Sequence, residues 1–149
     1  MDILRRNTDY ALRLMMSLAR SYENGSVSTR VLAEEQEVSY QLACKLMQRL
    51  HDARLVSSCM GPKGGFQLTR TPAQISLLEV VEVIQGPVRL NRCLVSDCAC
   101  PRGCGCPIRA RITELQGHME QYLRSVTLAG LVDGGETPIG RQRLRRRSK

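Results

Sequence analysis

The side chains with the most distinctive chemistry are five cysteines that fall within fourteen consecutive residues of this 149-residue chain. They are Cys93, Cys98, Cys100, Cys104 and Cys106. The total of seven cysteines is odd, and Met1–Arg6 lacks the charged-then-apolar layout of a secretory signal, so a disulfide framework is disfavoured. We expect a cytoplasmic protein whose clustered thiols bind a metal.

Clustered thiolates suit more than one kind of centre. Soft sulfur ligands are typical of iron–sulfur clusters. Zinc sites usually show C-x₂₋₄-C pairs, which Cys100 and Cys104 satisfy loosely, whereas the one-residue gaps on either side of that pair do not. A metal-free disulfide switch is a further alternative, because the many nearby arginines would favour thiolates. Those arginines would equally offset the charge of a thiolate-bound cluster, so the residues alone leave the choice open.

Basic charge is concentrated at one end of the chain. The formal net charge is +8, yet Gly140–Lys149 holds five arginines and one lysine with no acidic residue. Residues 1–139 carry 16 basic and 14 acidic side chains, a net charge of only +2. We interpret residues 133–149 as a basic, disordered tail that adds non-specific attraction to phosphates.

Apolar periodicity and capping residues predict the elements of the first half. We expect helices over Thr8–Arg20 (N-cap Asn7 or Thr8), around Val31–Ala33 (N-cap Ser28 or Thr29) and over Tyr40–Asp52 (N-cap Ser39). Strands over Leu55–Cys59 and Phe66–Thr69 flank a tight basic turn at Gly61–Gly65. This order predicts a mainly α fold with a small β-hairpin wing, a winged helix–turn–helix over residues 1–72.

A winged helix–turn–helix binds double-stranded DNA through the polar N-terminal end of its second motif helix and through the hairpin tip. The helix after Ser39 carries polar side chains opposite its apolar stripe, and the glycines of the tip permit close approach to phosphates. We therefore expect the following residues to contact DNA: Ser28, Thr29, Ser39, Tyr40, Gln41, Lys45, Arg49, Lys63 and Gly64. The alternative is a small helical domain that binds no nucleic acid.

Residues 73–132 are expected to join the cysteine loop to a dimerisation helix. Ser76–Gln85 predicts a largely buried helix. A second helix over Ile108–Val126, with Pro107 in its first turn, carries a heptad-like apolar seam. The seam residues are Ile108, Ile112, Leu115, Met119, Tyr122 and Val126. Because this helix is too long for the small domain to cover, we expect the seam to pack on its copy in a homodimer; the alternative is burial against the chain's own helices.

Five segments in this order resemble the bacterial IscR/NsrR family, the iron–sulfur cluster regulators and nitric-oxide-sensitive repressors. They are Thr8-Asp9-Tyr10-Ala11-Leu12-Arg13, Val38-Ser39, Leu55-Val56-Ser57-Ser58, Gly61-Pro62-Lys63-Gly64-Gly65-Phe66-Gln67-Leu68 and the cysteine loop, with Thr127–Val132 closing the match. The resemblance covers about residues 1–132. It implies a homodimeric winged-helix transcription factor, many of whose relatives carry a cluster of the 2Fe–2S or 4Fe–4S type.

The resemblance also implies a set of cluster ligands. Relatives use three cysteines with about five residues between successive ligands. The residues around Cys100-Pro101 and Cys106-Pro107 resemble those around the family's second and third ligands, which favours Cys93, Cys100 and Cys106. Cys98 or Cys104 could substitute. Asp9 matches an acid that can complete the site from the partner subunit in the nitric-oxide-sensing branch; the alternative is an ordinary first-turn helix acid.

Two departures from the family pattern concern turn geometry. Glu37 and Arg54 stand where relatives often have glycine, so each turn is expected to force positive φ on a non-glycine residue.

The sequence as a whole predicts a DNA-binding regulator rather than an enzyme. It shows no phosphate-cradling loop and no paired acid–base constellation, and its two histidines are far apart. We expect a homodimer on a pseudo-palindromic DNA operator, switched by an iron–sulfur cluster in the Cys93–Cys106 loop through redox, nitric oxide or iron–sulfur status. The alternatives are a cluster-free regulator answering to a metabolite or partner protein, with zinc as the rival metal, and a metal-binding protein that acts through protein contacts.

Overall fold

The computed structural model describes residues 3–95 and 105–134. The described helices are α1 (Arg6–Arg20), α2 (Thr29–Glu35), α3 (Tyr40–Asp52), α4 (Leu77–Gln85), α5 (Pro107–Ser125) and α6 (Leu128–Val132). The strands are β1 (Val56–Cys59) and β2 (Gly65–Leu68). Within these ranges, no helix combines the length and the apolar character needed to cross a membrane. The predicted basic tail, apart from its first two residues, lies outside the described residues.

Helix α1 forms the centre of the core but begins earlier than its sequence predicts. Leu14 and Met15 on its inner face are fully buried. Its N-cap is Arg5, which makes no side-chain capping bond, so the predicted cap at Asn7 or Thr8 is wrong. Thr8 is buried instead, and its hydroxyl donates to Gln85 Oε1 at 2.7 Å. The Thr8 hydroxyl therefore makes a tertiary hydrogen bond and does not cap the helix.

Helices α2 and α3 form the predicted helix–turn–helix. The Ser28 hydroxyl accepts from Val31 N, and the Ser39 hydroxyl accepts from Leu42 N, so both predicted serine caps are confirmed. Such caps satisfy amides that a helix start leaves without partners. Between the helices Glu37 adopts φ 53°, the positive value that the missing glycine implied.

Strands β1 and β2 form an antiparallel hairpin with Val56 opposite Leu68 and Cys59 opposite Gly65. Val27 pairs with Phe66 beside the hairpin, which fixes the wing to the residues before α2. A Cβ on Gly65 would lie 2.2 Å from the Val27 carbonyl oxygen, so only glycine permits this approach. The fold is mainly α with a small hairpin wing, as predicted.

Helices α4 and α6 close the core, and α5 lies outside it. In α4, Val80 and Val81 are fully buried, as is Leu128 in α6. Leu77 N donates to the Val126 carbonyl and Leu128 N donates to the Ile75 carbonyl, so the chain after α5 returns to the start of α4. Among the described residues of α5 only Gln116 is buried. The long helix is therefore attached along one side and open on the rest.

Candidate nucleic-acid interface and cysteine loop

Helix α3 presents a polar face outward because its apolar face is buried. Ala43, Leu46, Met47 and Leu50 are buried on the inner side. Gln41, Lys45 and Gln48 are exposed and lie opposite that stripe at helical spacing. Amide and ammonium groups on an exposed face can donate to base edges and phosphates. The structure thus keeps the predicted Gln41 and Lys45 available to a ligand.

The first turn of α3 carries an exposed aromatic side chain. Tyr40 is 54% exposed although it directly follows the cap residue Ser39. The Cys44 thiol, one turn later on the same helix, raises the pKa of Tyr40. The guanidinium of Arg30, on α2, lies 5.7 Å from the centre of the Tyr40 ring. The starts of both motif helices therefore meet on one exposed surface.

Arg49 lies at the other end of α3, where it has a structural partner. Its Nη2 donates to the Val83 carbonyl at 3.2 Å, which ties α3 to α4. The side chain remains exposed, and one edge of its guanidinium is committed to this bond. Of the predicted DNA contacts on α3, Arg49 is the one with a described hydrogen bond to another element.

The wing tip is held in a defined turn. Gly64 N donates to the Gly61 carbonyl, and the Ser26 hydroxyl donates to the Lys63 carbonyl at 2.8 Å. A Cβ on Gly64 would lie 2.7 Å from the Cys59 carbonyl, so glycine is required there. The Lys63 side chain is exposed, and no acidic residue occurs in residues 55–69. This gives the wing a positive tip suited to a phosphate backbone.

The cysteine loop is described only at its two ends. Cys93 lies in a short 3₁₀ turn, Arg92–Leu94, that packs against α5, and Cys106 is the N-cap residue of the same helix. Both side chains are partly exposed. The other three candidate ligands, Cys98, Cys100 and Cys104, lie outside the described residues. Both described ends of the loop therefore lie beside α5.

The side chain of Gln116 fixes the chain that enters this loop. Its Nε2 donates to the Val88 carbonyl at 2.5 Å, and its Oε1 accepts from Leu90 N at 3.0 Å. Beside it, Arg89 pairs with Glu120 at 3.2 Å. Sequence reasoning missed Gln116, although its position one residue after the seam residue Leu115 marks a polar side chain at the edge of an apolar stripe.

Asp9 is exposed and paired within its own helix. Its carboxylate lies 2.8 Å from Arg13 Nη2, one turn later in α1. This geometry agrees with the first-turn helix acid that the sequence left as the alternative. His118 is exposed on α5, and the ring of His51 lies edge-on to Phe66 with centroids 6.3 Å apart.

The seam of α5 is open to solvent along much of its length. Ile108 is 65% exposed, Leu115 58% and Tyr122 40%, while Ile112, Met119 and Val126 are partly buried. The predicted alternative, a seam covered by the chain's own helices, does not hold for the three exposed residues within the described structure. A row of large apolar side chains in water is typical of an association surface.

Comparison with known proteins agrees with this architecture. A family model described as an iron-dependent transcriptional regulator, Rrf2, matches residues 4–134. The chain belongs to the Rrf2 family. An HTH-type transcriptional regulator of Azotobacter vinelandii, ORF2, is 33% identical over 123 residues, 83% of this chain and 74% of that protein. The regulator IscR of Cronobacter sakazakii is 31% identical over 127 residues, 85% of this chain and 78% of that protein.

The solved structure of the cysteine regulator CymR of B. subtilis has the same fold. It superposes with a TM-score of 0.77 at 24% identity and covers 91% of this chain and all of that one. Rrf2 proteins are transcriptional regulators, so this chain is an IscR-like regulator of that family and not an enzyme. The resemblance derived from the five sequence segments is confirmed.

Proposed function

We propose that this Rrf2 protein acts as a homodimer that reads a pseudo-palindromic operator with α3 in the major groove and the wing against the backbone. The observation that carries this is the two-sided character of α3: buried apolar residues fix the helix while Gln41 and Lys45 stay exposed. On this proposal Gln41 discriminates bases, because amide side chains pair with base edges. Lys63 contacts phosphate, and Ser28 and Thr29 lie beside the backbone.

We further propose that an iron–sulfur cluster, bound by Cys93, Cys100 and Cys106, switches operator binding. The donor set fits such a group, because Cys93 and Cys106 supply thiol sulfur at the two described ends of the loop. Cys98 and Cys104 are alternative ligands, and Asp9 of the partner is a candidate fourth. When bound, the cluster would supply sensitivity to nitric oxide, oxygen or iron supply.

The chain's own residues provide a route from the loop to DNA. Gln116 and the Arg89–Glu120 pair hold the residues that enter the loop against α5. Helix α5 packs on α4, whose Val83 carbonyl receives Arg49 of α3. A rearrangement of the loop can therefore shift α5 and, through α4, the spacing of the two recognition helices. Such a switch biases a two-state equilibrium without adding a new DNA contact.

The first test is an anaerobic absorption spectrum with iron and acid-labile sulfide counted per chain. We expect broad absorption near ~400 nm with matched iron and sulfide, lost in Cys93→Ala and Cys106→Ala. Cys59→Ala, in β1 and away from the loop, is the matched control and should retain both. Affinity of the holo and apo forms for a duplex selected from a random library, measured at one salt concentration, then tests the switch. Equal affinities would refute cluster-dependent switching and leave DNA binding intact.

A cluster-free regulator is the second candidate, and a groove beside the loop favours it. The groove has a volume of about 660 Å³ and lies between the N-terminal segment, including Ile3 and Arg5, and residues 87–90 and Val95. Its mixed lining of apolar and cationic side chains suits a small anionic metabolite. A colourless preparation that resists anaerobic reconstitution but still binds the selected duplex would favour this candidate, with zinc analysis testing the rival metal.

A further inference from the structure

We propose that Arg30 is a DNA-phosphate contact and that Tyr40 is the residue that positions it, an inference that rests on the proposed DNA-binding surface. The guanidinium lies over the Tyr40 ring at 5.7 Å, so two residues distant in sequence meet where α2 and α3 begin. Arg30 is absent from the residues that the sequence pattern marked as DNA contacts. Its role follows from its position and its partner.

The position of Arg30 is unfavourable for the helix that carries it. It is the second residue of α2, where the aligned peptide dipoles place partial positive charge. A cation there weakens the helix slightly, so the helix itself gives no reason for an arginine. In a helix–turn–helix the first motif helix crosses the DNA backbone while the second enters the groove. In that geometry the start of α2 lies beside phosphates, where the positive charge of Arg30 is favourable.

Arg30 makes no ion pair with any carboxylate in the described part of the chain. Glu34 lies one turn later on the same helix, at the spacing that commonly forms such a pair. Glu37 lines the same surface pocket as Arg30 and Tyr40. The guanidinium lies over Tyr40 instead. Stacking on an aromatic face leaves the N–H groups at the rim of the guanidinium available, so Arg30 keeps its capacity to donate to a phosphate.

Tyr40 is the first residue of α3, so its backbone is held by that helix. Its ring is covered on one face by Arg30. The aromatic side chain therefore defines where the cation lies. Tyr40 then acts through Arg30, whereas the sequence pattern had placed it as a direct contact in the groove.

The test measures the salt dependence of binding to a random-sequence 30-base-pair duplex, because phosphate contacts do not depend on sequence. For Arg30→Gln we expect a slope of log K against log salt that is shallower by about 0.9 per protomer, and an affinity about tenfold weaker at moderate salt. Arg30→Lys should keep the slope, since it keeps the charge. Arg124→Gln, an exposed arginine in the last turn of α5, is the matched control and should leave the slope unchanged.

A double-mutant cycle tests the positioning role. Tyr40→Leu should weaken binding about threefold in the wild-type background and have no effect in the Arg30→Gln background, because its effect passes through Arg30. Tyr40→Phe, which keeps the ring, should bind like the wild type. If Tyr40→Leu weakens both backgrounds equally, Tyr40 contacts DNA directly and the positioning role is overturned.

The outcomes separate this inference from the proposed function. A wild-type slope for Arg30→Gln together with a shallower slope for Lys63→Ala would overturn the Arg30 contact and leave the DNA-binding surface standing. Wild-type binding by Arg30→Gln, Lys63→Ala and Gln41→Ala alike would overturn both.

Discussion

Two corners of the DNA-binding half place a side chain where the backbone favours glycine. Glu37, between α2 and α3, has φ 53°, and Arg54, between α3 and β1, has φ 60°. The left-handed region brings Cβ close to the carbonyl oxygen and costs about 1–2 kcal/mol for ordinary residues. Glu37 N and Arg54 N still donate to Glu34 and His51 carbonyls, so the turns form despite the strain.

Replacing these residues should therefore stabilise the protein. For Glu37→Gly and Arg54→Gly we expect the free energy of unfolding in urea to rise by about 0.5–1 kcal/mol each, since the added freedom of glycine in the unfolded chain offsets part of the relieved strain. Glu34→Gly, an exposed position inside α2, is the control and should lose about 1 kcal/mol. A loss of stability in both corner variants would mean that the positive φ values are wrong.

Gln116 is the residue whose substitution tests how the loop is attached to α5. Replacing it with leucine keeps the volume but leaves the Val88 carbonyl and the Leu90 amide without their partner. We expect Gln116→Leu to lower the free energy of unfolding by about 1–3 kcal/mol, the cost of buried polar groups left unbonded. Gln121→Leu, exposed on the same helix, should change it by no more than about 0.5 kcal/mol. Equal effects would show that the Gln116 bonds are dispensable.

At the scale of elements, the start of α4 depends on a carboxylate. The Ser76 hydroxyl accepts from Glu79 N while the Glu79 carboxylate accepts from Ser76 N and from Arg70, 2.8 Å away. Burial raises the pKa of Glu79, but the bonds from Ser76 and Arg70 together outweigh it and hold the pKa below its ordinary value of 4.5. A depressed pKa means that ionised Glu79 stabilises the fold above pH 4.5 and loses this effect as the pH falls through the lowered value.

The pH dependence of a variant follows from this sign. Glu79→Gln should be less stable than the wild type at pH 7, and the difference should shrink as the pH is lowered below 4.5, measured by urea unfolding at each pH. Ser76→Ala removes the cap itself and should cost about 1 kcal/mol at pH 7. A difference between Glu79→Gln and wild type that stays constant down to pH 3 would contradict the role of the ionised carboxylate.

Elements with local signals were predicted well from the sequence, and arrangements that depend on distant partners were not. Ser28 and Ser39 mark helix starts because a cap is made by neighbours in sequence. Thr8 carries the same signal, yet Gln85 takes its hydroxyl from 77 residues away. The Arg30–Tyr40 contact depends on how α2 and α3 are turned relative to each other, which no single-helix pattern encodes. The spacing of the five cysteines does not identify the three ligands, because several sets of three fit the loop.

At the scale of the whole molecule, α5 is the helix whose apolar side chains a single chain leaves exposed. Its attached side carries Gln116 and faces α4, and the neighbouring side carries the exposed seam. Two seams packed together would bury residues such as Ile108 and Leu115, which gives the hydrophobic gain that one chain lacks. Cys106 is the N-cap residue of the same helix, so in the proposed homodimer one element would set both the dimer geometry and the loop geometry.

A charge in the middle of the seam should separate the protomers without unfolding them. In the proposed homodimer Leu115→Glu places a carboxylate where each seam meets its copy, and its effect on the single chain is expected to be small because Leu115 is 58% exposed. We expect sedimentation equilibrium to give the mass of one 16.7-kDa chain while helical circular dichroism is retained. Gln121→Glu, exposed and off the seam, should sediment as the wild type does.

The same variant links assembly to DNA recognition. If two copies of α3 read the two halves of one operator, the monomer keeps its contacts but loses the benefit of joining them, a factor of about a hundred or more in affinity. Leu115→Glu should therefore bind the selected duplex at least that much more weakly, with a salt slope near half that of wild type because half the phosphates are contacted. A monomer that binds the duplex as tightly as the wild type would show that one protomer reads the whole site, and the seam would then have to serve another partner.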